Sequence, residues 1–249
     1  MHEDSLLLAL VDGFEQGLCT GYRLSVWAQP AGITDVRFPQ LNHLLSPHIR
    51  TKAIVPDDVR ILTTDLRHVR GLAIAHLPST SIQKLWIKWR TQKNGQHGEE
   101  KLFTPNPSPT GICCVRAICS SLRRFSRLQA LNPFLRPDAT PLSVYFDASS
   151  QSVRLITATD IEFFMRRLAV EVYHLHPVHD IAHLRHWGTH SLRVGACVAL
   201  HAMGFSPLDI QWILRWRSLA FMTYLQNVAL LAHRQVQALD RASALPHPV

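Results

Sequence analysis

Apolar and polar positions along the chain fall into a helix, a strand hairpin and a long helical half. Residues 5–17 carry Leu6, Leu7, Leu8, Leu10, Val11 and Phe14, a spacing that gives a helix one wide apolar face. The Gly17-to-Gly21 stretch after it is expected to end that helix. Residues 29–49, broken by Pro30, Gly32, Pro39 and Pro47, read as loop. Residues 59–63 are rich in β-branched side chains and read as a strand. Residues 86–90 alternate like a strand, Gln92-Lys93-Asn94-Gly95 reads as a turn, and residues 100–103 return. After a proline-rich connector at 105–109, residues 112–131 read as a helix with Arg116, Arg123, Arg124 and Arg127 on a cationic side. A solvated helix face and a phosphate-contacting one are equally compatible with that side. Residues 142–146 and 153–156 form a short strand pair, and Thr159-Asp160-Ile161-Glu162 starts a helix that runs to about residue 174.

From His190 to Asn227 the pattern predicts three consecutive helices. His190 and Arg193 are three apart, so on a helix they share a side and can reach one anion together. Ser206-Pro207-Leu208-Asp209 is a strong start signal, with a serine N-cap, a proline at the first helical position and an acidic side chain at N3. A last helix over 218–233 puts Phe221, Tyr224, Val228 and Leu231 on one stripe, which predicts that Tyr224 points inward. The fold class expected is mainly α with a small antiparallel β-sheet, that is, α+β.

The chain has 249 residues, 47% of them hydrophobic, enough for one large core or two small ones. A net charge of +8 favours a polyanionic partner, nucleic acid first among them, although a basic surface also serves solubility alone. No apolar run approaches the roughly 20 residues of a membrane span, so no membrane partner is expected. The acidic start, with Asp12 and Glu15 interrupting the first helix, argues against a signal peptide. Cys113, Cys114 and Cys119 are spaced for neither a zinc knuckle nor a secreted disulfide frame, so reduced thiols in an intracellular protein are expected. His174, His176, His179, His183, His186 and His190 include pairs at metal-binding spacing. They lack a partnering carboxylate or cysteine pattern, so a histidine-rich loop is expected and no metal. No phosphate loop, dinucleotide turn or serine nucleophile elbow is present, and no cofactor is expected.

The order H-x-x-R at His190 and Arg193, a Leu-x-Trp pair ending at Trp216, then Tyr224 within Ala-Phe-x-x-Tyr-Leu, resembles the C-terminal half of a tyrosine recombinase catalytic domain of the phage integrase type. Two further elements are required upstream by that resemblance. Thr20-Gly21-Tyr22-Arg23-Leu24-Ser25 matches the family's first arginine box at Arg23, and Lys93 in the hairpin turn matches its lysine. The likeness spans about residues 6–227. It implies site-specific recombination or integration of double-stranded DNA through a 3′-phosphotyrosyl intermediate. In that scheme Arg23 and Arg193 hold the scissile phosphate, Tyr224 attacks phosphorus, and Lys93 protonates the leaving 5′ hydroxyl. His190 assists proton transfer and Trp216 hydrogen-bonds the phosphate. Lys88, Arg90 and Lys101 would make the hairpin a basic finger, with Arg123, Arg124 and Arg127 as further DNA contacts.

The likeness also implies assembly into a homo-oligomer on DNA, in the nucleus of a eukaryote or otherwise on DNA in the cytoplasm. Residues 1–234 are expected to form the catalytic domain and 235–249 a tail. Two departures matter. Val26 stands where the family usually has an acidic residue, and the arginine box begins so early that no room is left for the family's N-terminal DNA-clamping domain. Weak DNA binding by the isolated chain is therefore expected, and a catalytically inactive, DNA-binding relic of a mobile element is the alternative reading.

Overall fold

The structure is a computed structural model that describes residues 4–21, 53–90, 98–216 and 218–225. The sequence-predicted positions Arg23, Val26 and Lys93, the loop at 29–49, the end of the last helix and the tail lie outside the described residues. About half of the described residues are helical and a small antiparallel sheet accompanies them, an α+β fold. No helix among the described residues is long and apolar enough to cross a membrane.

Contacts between Cα atoms divide the chain into two units, Met1–Arg193 and Val194–Val249. In the first, α1 spans Leu6–Thr20 and the sheet strands are β1 (Val59–Thr63), β2 (His68–Arg70), β3 (Ile82–Lys88) and β4 (Glu100–Phe103). They pair antiparallel in the order β2-β1-β3-β4. The register sets Val59 opposite Ile87 and Ile61 opposite Leu85. All four are fully buried, so the period of two sends one sheet face into the core. Against it packs the chain's longest described helix, α2 (Cys114–Leu131), through Ile118, Leu122, Phe125 and Leu128. Helix α1 lies on α2 through Ala9 and Leu10, and the Gln16 amide locks the pair by donating to Ser121 Oγ at 2.9 Å.

A second hairpin, β5 (Val144–Asp147) with β6 (Ser152–Leu155), leads into α3 (Ala158–Tyr173). The cap of α3 is Thr157, two residues earlier than the Thr159 start that the sequence reading gave. Thr157 Oγ1 accepts the Asp160 N–H, while Asp160 accepts from the Thr157 N–H at 2.8 Å, a reciprocal box. Thr157→Ala is expected to cost about 1 kcal/mol, read as a lower urea midpoint with unchanged slope. A cost near zero would mean that tertiary packing alone sets this helix end. A short α4 (Ile181–Leu184) precedes α5 (Thr189–Ala202), which runs across the boundary between the units.

In the second unit α6 (Pro207–Leu214) starts where the sequence places it. Ser206 Oγ accepts the Asp209 N–H and Asp209 accepts the Ser206 N–H, both at 3.2 Å. A 3-10 turn over Leu219–Phe221 then passes into α7 (Met222–Leu225).

Candidate functional site

Helix α1 does not stop at Gly17 but continues for one more turn. Gly17 is buried inside the helix, and the terminator is Gly21, whose φ of 59° is left-handed and whose N–H closes on the Gly17 carbonyl at 2.8 Å. Thr20 bonds back to the Gln16 carbonyl at 2.7 Å, so the end of α1 is rigidly held. From α5, 172 positions further along, Arg193 Nη1 donates to the carbonyl of Gly21 at 2.9 Å. Arg193 is only 7% exposed, whereas His190, three residues before it, faces solvent. The turn ahead of α5 is tied by Ser191 Oγ, which accepts the Gly188 N–H and donates to the His186 carbonyl, each at 3.1 Å.

Within the second unit, Trp216 sits just past α6, where Arg215 adopts a left-handed conformation with φ of 55°. Its indole lies 5.8 Å from the Phe221 ring and 5.9 Å from the Tyr224 ring, centroid to centroid. Phe221 is fully buried and Leu225 nearly so, while Tyr224 is 38% exposed. The inward orientation expected of Tyr224 is thus corrected. The 3-10 turn changes the helical phase, and the buried pair is Phe221 with Leu225, one helical turn apart.

Arms of the lysine hairpin are formed as the alternation predicted. Beyond the Lys88–Glu100 pair, the Trp89 N–H bonds to the Glu99 carbonyl at 2.8 Å and the Gly98 N–H to the Trp89 carbonyl at 2.7 Å. Of the cations expected to make the hairpin a basic finger, Lys88 and Lys101 project from opposite faces of the sheet. Lys88 is exposed on the outer sheet face, beside the Arg60–Glu100 ion pair and Trp86, over whose ring Arg60 sits at 4.2 Å. Lys101 pairs with Ile87 and therefore projects from the opposite, inner face, its ammonium 5.3 Å from the Phe103 ring centre. Arg90 is bonded through Nε to both oxygens of Asp58, whose carboxyl is pushed up by burial against the lowering by the Val55 N–H and Arg90.

Burial lowers Lys101 from the ordinary 10.5 to about 8. Between those values the unfolded chain binds a proton that the folded one does not, so stability rises with pH across that window. Lys101→Met is accordingly expected to stabilise by about 1–2 kcal/mol at pH 7, read as a higher thermal midpoint, with a smaller gain at pH 10. An unchanged midpoint at pH 7 would show that the ammonium is solvated.

The cationic side of α2 also turns out differently. Arg124 is 1% exposed and paired with Asp12 of α1, so it is withdrawn as a DNA contact. Arg127 binds Asp4 through Nε at 3.0 Å and Nη2 at 2.6 Å. Arg123 donates to the Leu77 carbonyl at 2.7 Å and Ser79 Oγ at 3.0 Å, and Arg116 to the carbonyls of Asn106 and Ser108. Each guanidinium binds the protein itself because α1 and the loops lie over that side of the helix. A signal existed in the sequence: Asp4 just ahead of α1 and Asp12 within it are eight residues apart, a separation that lets both face a cationic partner helix.

In the histidine-rich stretch, His176 Nδ1 accepts the N–H groups of Val178 and His179 at 3.2 and 3.1 Å, and its ring lies 4.2 Å from that of His179. No group of three or more His, Cys, Asp or Glu side chains comes together to hold a metal among the described residues.

No protein-family model matches the chain. No curated protein matches it either.

Proposed function

We propose that the chain is the catalytic domain of a tyrosine recombinase, which cuts and rejoins double-stranded DNA through a phosphotyrosyl intermediate. One observation carries this reading. Thr20-Gly21, the opening of the first arginine box, and Arg193, the arginine of the H-x-x-R motif, meet through a 2.9 Å hydrogen bond although 172 positions separate them. Two matches to a signature that arise by chance in a basic sequence have no reason to be neighbours in space. Fixing one of the five donors of a guanidinium on a rigid carbonyl orients the whole fork. Arg23 follows two residues after that carbonyl in the sequence.

The chemistry follows from charge. A phosphodiester gathers negative charge on its non-bridging oxygens as the transition state forms, and bidentate guanidinium groups are its best partners. Tyr224, partly exposed against the Trp216 indole, attacks phosphorus. Lys93 gives a proton to the departing 5′ hydroxyl, with His190 assisting transfer at the phenol. The phosphotyrosyl ester conserves the energy of the diester, so rejoining needs no nucleotide cofactor. Lys88 remains as an outward-facing hairpin cation for the DNA backbone.

The test uses the full chain and nicked duplexes of randomised sequence, whose short cut strand diffuses away after cleavage and traps the intermediate. Protein–DNA species that survive denaturing detergent are expected. Their absence across the whole pool would remove the catalytic reading, and retained duplex binding in that case would favour the DNA-binding relic.

A further inference from the structure

Helix α3 has two unlike stripes. Ile161, Met165 and Ala169 are buried, the first two within the hydrophobic core. The opposite stripe, Phe163, Arg166, Arg167 and Val170, keeps the i, i+3, i+4, i+7 spacing of one helix face and forms a wall of a pocket of about 470 Å³. The facing wall is α4, through Ile181 and Leu184, with Arg185 at its end. The turn between the walls is well tied. Helix α3 stops at His174, whose φ of 55° is left-handed, and the Asp180 carboxylate accepts the His176 N–H at 2.7 Å while the Asp180 N–H bonds to the His176 carbonyl at 3.0 Å. Past α4, the Trp187 ring lies 5.1 Å from that of Tyr173. The two walls are therefore held together at both ends, and all of these residues belong to the first unit.

Two features point to an occupant. The first is apolar surface that the fold leaves in water: Phe163 is 65% and Ile181 52% exposed, on opposite walls of one concavity. The second is an excess of cations, since Arg166, Arg167 and Arg185 line the pocket with Glu171 as the one carboxylate among them. Arg166 reaches Glu162 through Nη2 at 3.4 Å, whereas its Nε is buried without a hydrogen-bond partner among the described residues. The side chains of Arg167 and Arg185 make no ion pair among the described residues. A buried polar nitrogen is seldom left without an acceptor, and Nε with a neighbouring Nη is one of the edges by which a guanidinium grips a carboxylate at two points.

We propose that the pocket between α3 and α4 binds a small organic carboxylate with an apolar chain or ring, its body between Phe163 and Ile181 and its carboxylate on the guanidinium groups of Arg166 and Arg185. The volume falls within the roughly 300–1,000 Å³ of small-molecule sites. A docked partner helix fits less well, because α4 is a single turn of four residues and a helix-binding groove needs anchor points over two turns or more. The surplus of positive charge selects for an anion, and the apolar walls select against one that has no hydrocarbon to bury. None of the pocket residues takes part in the proposed strand cleavage, so the binding stands without it.

Octanoate is titrated calorimetrically into the full chain, with 1-octanol and acetate as controls. One molecule per chain is expected, with a Kd on the order of 100 µM, and each control should bind at least about ten-fold more weakly. Arg185→Gln and Phe163→Asp, both at exposed positions, should each weaken octanoate by about ten-fold without lowering the thermal midpoint, and a diazirine-bearing octanoate should crosslink within residues 163–185. Octanol binding as tight as octanoate, unchanged affinity in both variants, or crosslinks confined to other parts of the chain overturns the proposal. So does the lack of any octanoate binding up to about 5 mM, and an acidic amphipathic peptide that binds there instead would give the pocket to a protein partner. The titrations and the crosslinking of the unaltered chain decide the matter even if one variant does not fold.

Discussion

Tyr224→Phe is expected to abolish covalent attachment of the chain to DNA while leaving the fold intact. The substitution removes one oxygen and nothing else. The aromatic ring, 5.9 Å from that of Trp216, keeps its contact, and at 38% exposure the side chain is not a core element whose loss opens a cavity. A stability change within about 0.5 kcal/mol is anticipated on those grounds. With no phenol oxygen there is no phosphotyrosyl ester, so the detergent-stable species should fall to background, not merely decline. Denaturing gels of the two proteins on the same nicked substrate, with thermal midpoints alongside, make the comparison. Adducts that persist in the phenylalanine variant would assign the nucleophile elsewhere.

Arg124→Ala should be the most damaging single change to stability, costing about 3–5 kcal/mol. The guanidinium is 1% exposed and its partner Asp12, which also accepts from Ser120 at 2.8 Å, lies between α1 and α2. Burial pushes the Asp12 carboxyl up, and Arg124 is the main opposing influence. Without the arginine, Asp12 is left as an uncompensated buried charge. Its folded-state value then lies further above the unfolded one, so stability falls as pH rises between the two, and the defect should be larger at pH 7 than at pH 4. Pairing Asp12→Leu with Arg124→Met removes both charges and should recover most of the loss, because two apolar groups of similar size replace an ion pair at little net cost. Urea titrations of the single and double variants measure this. A loss below about 1 kcal/mol in Arg124→Ala would show that the pair is effectively solvated.

How far such features could be read in advance differs from element to element. The strands of the lysine hairpin and the Ser206 cap follow from local patterns, alternation in one case and reciprocal side-chain bonds in the other. The β2 strand, only His68–Arg70, is too short to show any period and exists because β1 offers it a partner. Within the Gly17-to-Gly21 stretch that ends α1, sequence does not say which glycine is the stop: Gly17 is accommodated in a buried helical position and Gly21 supplies the left-handed turn. Helical periodicity put the arginines of α2 on a common side. It carries no information about what lies opposite, and α1 lies there. The bond between the Gly21 carbonyl and Arg193 could not be read locally, since nothing near either residue specifies the other. The exposure of Tyr224 depends on a short 3-10 turn whose phase shift leaves no composition signal.

The outer strands of the four-stranded sheet, β2 with three residues and β4 with four, are shorter than β3 with seven. Each therefore offers only a brief row of unpaired backbone donors and acceptors to a passing chain. High local concentration is the condition in which open strand margins recruit one another into fibrils, and short margins give that recruitment little backbone to work with.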